Sequence, residues 1–146
     1  MNQNISTILK SVSKPGRYAG GEYGQIIKDK SKVKARFAFC FPDTYEIGMS
    51  NLGVRILYGV LNREEDVWCE RVYDPWIDMQ QQMRAHKIPL RACESGDELT
   101  EFDMIGFTLQ YEMSYTNVLN MLDLAGIPLR SADRDDSMPL IIGGGP

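Results

Sequence analysis

The sequence predicts an α/β fold: a flavodoxin-like (Rossmann-type) open, mainly parallel sheet with helices on both faces, preceded by a short leader. Three observations carry this. Apolar stretches of strand length recur at residues 36–41, 66–72, 103–109 and 139–142. Between them lie segments whose apolar side chains return every three or four residues, the period of a helix. The alternation implies βαβ units, whose right-handed crossovers sandwich a parallel sheet between helices. A chain of 146 residues suits one domain built on a single core.

The elements follow in order. Residues 1–35 read as an N-terminal leader or arm and 36–146 as the α/β domain. Ile5 to Val12 fits a short helix that Pro15-Gly16 ends. The glycine-dense run from Gly16 to Gly24 holds Tyr18 and Tyr23 but neither GxGxxG nor GxxxxGK[ST]. It is expected to be a folded-back arm that packs its tyrosines on the body. Arg36 to Phe41 is the first strand, closed by Pro42-Asp43. Leu52, Ile56, Leu57, Val60 and Leu61 then form an apolar helical stripe, with Ser50 or Asn51 as N-cap. Asp66 to Val72 is the second strand. Asp74-Pro75 is the expected cap and first turn of a helix carrying Trp76, Met79 and Met83 on one face. Ile88 to Ala92 reads as a short strand and Asp97 to Phe102 as one helical turn. Asp103 to Leu109 reads as a strand buried on both faces. Ser114 is the expected cap of a helix with the stripe Tyr115, Val118, Leu119 and Leu122, which Gly126 stops. Pro139 to Ile142 is the last strand and runs into Gly143-Gly144-Gly145-Pro146. A βα chain that stops at such a turn is expected to be the N-terminal piece of a longer protein, truncated at its C-terminal end.

Charge and cysteine usage narrow the function. Residues 1–36 carry eight Lys or Arg against two acids, and residues 37–146 carry eight against eighteen. An acidic body argues against nucleic acid as a partner, whose footprint is a basic face. Neither a membrane span nor a signal-peptide core is present in the apolar runs, so no membrane partner is expected and the cytoplasm is the default location. Cys40, Cys69 and Cys93 are spaced too widely for a cluster or a zinc site and read as plain thiols. With His86 as the single histidine, near the end of a helix, no Ser-His-Asp or Cys-His set exists, so the chain alone is not expected to be catalytic.

In an open parallel sheet, ligands lie beyond the carboxyl ends of the strands at the topological switch point. That rule selects four loops, Pro42 to Asn51, Tyr73 to Trp76, Gln110 to Ser114 and Gly143 to Pro146. They are rich in aromatic rings, acids and glycine and contain no Lys or Arg, which suits a flat organic ligand or a packed domain better than a phosphate.

The first of these loops, Asp43-Thr44-Tyr45-Glu46-Ile47-Gly48, resembles the Asp-x-His-x-x-Gly motif of cobalamin-binding domains, with Tyr45 where the cobalt-ligating histidine would stand. Thr108-Leu109-Gln110 and Gly143-Gly144 loosely occupy the family's Ser-x-Leu and Gly-Gly places. Further segments are Lys14-Pro15-Gly16-Arg17-Tyr18, Phe41 to Ser50, and Phe107-Thr108-Leu109-Gln110-Tyr111-Glu112 through Ala125-Gly126-Ile127-Pro128. With these, nearly the whole chain resembles the B12-binding-domain-containing radical SAM proteins of bacteria. The resemblance implies a cobalamin-binding-like domain ahead of a radical SAM barrel in the same full-length chain. That barrel would carry CxxxCxxC, the [4Fe–4S] cluster and S-adenosylmethionine, none of which lies here. It implies cofactor-binding roles for Asp43, Tyr45, Glu46, Gly48, Thr108, Gln110, Tyr111, Gly143 and Gly144. Two readings stay open: cobalamin held over the radical SAM active site without a histidine ligand, or a non-catalytic interaction domain that keeps the fold and binds no corrinoid.

Overall fold

Aromatic and β-branched residues concentrate in four segments, and these pair as strands. The computed structural model describes residues 3–145. The order is α1 (Gln3–Leu9), a 3₁₀ turn (Pro15–Tyr18), β1 (Ala35–Phe41), α2 (Tyr45–Ser50), α3 (Leu52–Arg63), β2 (Val67–Tyr73) and α4 (Ile77–His86). A second 3₁₀ turn (Leu99–Glu101), β3 (Met104–Thr108), α5 (Ser114–Leu124), a third 3₁₀ turn (Ser131–Asp133) and β4 (Leu140–Gly144) follow. The sheet order is β2-β1-β3-β4 and every pair is parallel. This is the flavodoxin-like arrangement expected from the alternation.

Strand alternation sends successive side chains to opposite faces, and parallel partners share a face. Ala38, Cys40, Val72, Ile105 and Phe107 point to one side, where Met79, Met83, Met121 and Leu122 from α4 and α5 close the larger core cluster. Ile8 and Val12 of the leader enter this cluster too. Phe39, Phe41, Cys69 and Tyr73 point to the other side, against Val54 and Tyr58 of α3. On that second side β4 has little cover: Leu140 and Ile142, in register with Met104 and Gly106, are 58% and 44% exposed.

Buried charge is the feature that alternation did not announce. Glu70 is fully buried in β2 and accepts from the Arg36 guanidinium of β1 at 2.5 Å, while Asp97 takes the same guanidinium at 2.8 Å. Arg36 lies 4.3 Å over the Phe102 ring and 5.1 Å from the centre of Trp68. Arg71 pairs with Glu94 at 2.6 Å, and Glu94 Oε2 also takes the Arg71 backbone N–H at the outer edge of β2. The turn at residues 93–95 therefore guards that edge, with Cys93 N–H donating to the Arg71 carbonyl.

Several expectations are corrected. The stripe on α3 faces outward: Leu52, Ile56, Leu57 and Val60 are 67%, 54%, 49% and 48% exposed, with Leu61 partly buried. The buried face is Val54, Tyr58 and Asn62, because Tyr58 Oη receives the Ile26 N–H and Asn62 bonds the Cys69 backbone through both amide atoms. Tyr115 and Leu119 of α5 are likewise exposed, and Met121 and Leu124 are buried in their stead. Ser114 is the first residue of α5 rather than its cap, its hydroxyl donating to the Tyr111 carbonyl. Asp74 does not cap α4; the N-cap is Trp76, whose ring is half exposed, and Asp74 is buried beside α5. Residues 88–92 form no strand, because Leu90 N–H is taken by the Leu124 carbonyl and only Arg91 bridges to Glu98. Residues 45–50, read as loop, form α2. Of the two arm tyrosines Tyr18 packs on the body, its hydroxyl accepting the Trp76 N–H at 3.0 Å, whereas Tyr23 is fully exposed.

Candidate functional site

Because β1 lies between β2 and β3, the connection leaving β1 runs one way along the sheet and the connection into β3 returns across it. The switch point is therefore the gap between the carboxyl ends of β1 and β3. Asp43 follows β1 and Tyr111 follows β3, and the Tyr111 hydroxyl donates to Asp43 Oδ2 at 3.2 Å across that gap. The carboxylate pushes the Tyr111 phenol above its usual range. The second Asp43 oxygen accepts the Thr44 N–H at 2.6 Å, and the Pro42 carbonyl accepts Asn117 Nδ2 at 2.9 Å. The ends of β1, β3 and α5 are thus tied together directly.

The end of β2 joins the same network. Asp74 N–H donates to the Asp43 carbonyl at 3.0 Å, and Asp74 Oδ1 accepts Asn120 Nδ2 of α5 at 2.7 Å. Burial raises the Asp74 carboxyl to about 6. Arg84 of α4 reaches Asn120 Oδ1 at 2.7 Å and Asp123 at 2.6 Å, closing the chain of contacts. Asn117 and Asn120 belong to the machinery that sequence reading missed; their three-residue spacing on one helix face was the available signal.

The other predicted residues divide. Tyr45 turns away from the gap, edge-on to Tyr73 at 5.5 Å and 83°, and burial, with Glu22 nearby, raises its phenol to about 12. Gly48 is buried inside α2, where a methyl group would overlap the Tyr73 ring; its smallness serves that packing. Glu46 is exposed and holds the leader, accepting Arg17 at 2.9 Å and Lys14 at 3.4 Å, and Arg17 lowers its carboxyl. Thr108 and Gln110 bond each other through their side chains at the mouth of β3. Gly143 and Gly144 are the last residues of β4, paired with Phe107 and Thr108; the Gly144 carbonyl accepts the Leu109 N–H at 2.7 Å. The structure brings Asp43 and Tyr111 into one contact and places Tyr45, Glu46 and Gly48 on the leader side.

A cavity of about 480 Å³ lies on that leader side, at the carboxyl ends of β1 and β2. Residues 17–22 form one wall; Tyr45, Tyr73, Trp76 and Met79 are among the others.

Do these residues fit a corrinoid? The phenol at position 45, held near 12, does not supply the neutral nitrogen donor that cobalt takes from histidine. His86, exposed at the last residue of α4, is remote from the loops in the sequence and on another element. Among the described residues no group of three or more His, Cys, Asp and Glu could hold a metal ion. Three glycine spaces are filled by this chain, Gly48 by Tyr73, Gly106 by Phe37 and Gly145 by the Leu109 backbone, whereas Gly144 faces open space. The residues do not fit a corrinoid ligated by the protein.

Fold and site together define a flavodoxin-like α/β domain with a loop cluster at its carboxyl edge. A family model described as "Radical SAM proteins, N-terminal" matches residues 53–146, and the chain belongs to that family. No curated protein and no solved structure matches it. Among the described residues no helix is long and apolar enough to cross a membrane.

Proposed function

We propose that this domain is a capping module that docks on the radical SAM barrel of the same polypeptide, and that it carries no cobalt ligand of its own. The observation that carries the reading is the exposed apolar surface on one side of the sheet. Leu57 and Val60 of α3, and Leu140 and Ile142 of β4 on the same side of the sheet, are each about half exposed. Doubly wound sheets require both faces covered, and single exposed apolar residues are ordinary whereas a continuous run of them marks an interface. Membership of a family of N-terminal domains supports the barrel as the covering partner. The Tyr111–Asp43 contact across the switch point supports capping over ligand capture, because it joins the two loops that a ligand would part.

In this role the chain's residues position rather than react. Asn117, Asn120 and Asp74 hold the carboxyl-edge loops in one arrangement, and Glu46 fastens the leader to α2. Cluster and S-adenosylmethionine chemistry would be supplied by the barrel.

Hydrogen exchange decides it. Backbone amides at 57–60 and 140–143 are expected to exchange more slowly in the full-length protein than in this chain, and added cobalamin is expected to produce no corrinoid absorbance on this chain after gel filtration. Equal exchange in both would overturn docking, and stoichiometric corrinoid retained by the chain would restore the cofactor-binding reading.

A further inference from the structure

The cavity beneath the leader has a chemistry of its own, independent of docking. At about 480 Å³ it is within the range of small-molecule sites. Gly20 and Gly21, both at positive φ, turn residues 17–22 over it, and a side chain at Gly20 would press on the Cys93 carbonyl at 3.1 Å. The strap therefore lies directly on the body at Gly20 and forms one wall of a partly open cleft.

Its walls are aromatic. Tyr18, Tyr45, Tyr73 and Trp76 all line it. Charge accounting then selects the ligand. Both lining arginines are neutralised within the chain, Arg17 by Glu46 and Arg91 by Glu98. Lining Glu94 is neutralised by Arg71. Glu22 and Asp74 have no ion-pair partner among the described residues, and both line the cavity. An anion entering here would meet two uncompensated carboxyl groups and no free cation. A cation would meet aromatic side chains and a countercharge. The strap itself already shows the affinity of this wall for positive charge: the Arg17 guanidinium sits 5.5 Å from the centre of the Trp76 ring.

We propose that this cavity is a binding site for a small organic cation, an alkylammonium group held by the aromatic wall and by Glu22. Residues 37–146, with eighteen acids against eight bases, add a long-range attraction of the same sign.

Calorimetric titration of the chain with choline, and with its uncharged carbon isostere dimethylbutanol, tests this. Choline is expected to bind at least about tenfold more tightly than the isostere, since the two differ only in charge. Glu22→Gln is expected to abolish most of that preference while changing the melting temperature little, because Glu22 is in no ion pair and the amide oxygen keeps an acceptor for the Tyr45 hydroxyl. Equal affinity for the two compounds would reduce the site to an apolar hole and overturn the proposal. So would undetectable choline binding, or a preference that survives Glu22→Gln. The isostere comparison needs no variant and stands even if the substitution perturbs the strap. None of these outcomes bears on docking, which is read from exchange at 57–60 and 140–143.

Discussion

The Tyr111 hydroxyl and Asp43 Oδ2 meet at 3.2 Å, joining the loops that leave β1 and β3 at the point where the strand order reverses. The carboxylate disfavours the phenolate, so Tyr111 titrates above the ordinary tyrosine value of 10.0. In Asp43→Asn that repulsion is gone and the Tyr111 ring is expected to titrate at lower pH. Carbon-13 NMR of the tyrosine ring carbons across the alkaline range reads it; an unmoved Tyr111 midpoint would remove the contact from solution.

Gly48 is fixed by Tyr73. A methyl group at position 48 runs into the Tyr73 ring, so Gly48→Ala is expected to destabilise the domain by about 2 kcal/mol despite alanine's better helix propensity. In a Tyr73→Leu background the same substitution should cost much less. Urea unfolding of the four variants gives the coupling, and an additive pair would contradict the packing account.

Asp74 gives the domain a pH signature. Its folded carboxyl titrates at about 6 because burial disfavours the charge, against an ordinary value of 3.8. The folded state therefore binds this proton more tightly than the unfolded chain, so Asp74 makes stability fall as pH rises from about 4 to about 6. The full contribution is on the order of 3 kcal/mol, taking 1.36 kcal/mol per unit. Asp74→Asn keeps the acceptor for Asn120 and removes the titration. Subtracting the two stability-against-pH curves should show a decline confined to that window; parallel curves would refute it.

The Arg36–Glu70 pair is expected to behave as a buried ion pair does. Arg36→Met leaves the fully buried Glu70 without its partner and should cost about 3–5 kcal/mol. Arg36→Met combined with Glu70→Leu should cost far less, since both charges leave together. Lys30 also pairs with Asp97, which keeps that second carboxylate compensated in the double variant. Chemical denaturation is the measurement, and a double variant as unstable as the single one would count against it.

Some of this was legible in the residues. The four strands fall within a residue or two of where apolar runs were bounded by Pro, Asp and Gly. Asn51 caps α3 through its side chain to Val54 N–H, and Gly126 ends α5 at positive φ, both readable as local chemistry. The face of α3 was not legible. Its apolar arc is broad and takes in Leu52, Ile56 and Val60 as well as Val54 and Tyr58, with Arg55 and Asn62 on the remaining side, so period alone did not choose among them. The choice came from Tyr58 and Asn62 finding backbone partners, Tyr58 at Ile26 in the leader, 32 residues away, and Asn62 at Cys69 on the following strand. The candidate site divides in the same manner. Asp43 and Tyr111 were singled out separately by the rule for strand ends, but their contact spans 68 residues.

The sequence by itself determined the class of fold, the order of its elements and the edge of the sheet where its loops gather, because these follow from local periodicity and from the handedness of crossovers. Tertiary structure alone decided which helix faces are buried, which acids are neutralised and where a cavity is left. Those outcomes depend on pairwise contacts between distant segments: Glu70 is buried because Arg36 is beside it, and Glu46 is neutralised because Arg17 of the leader reaches it.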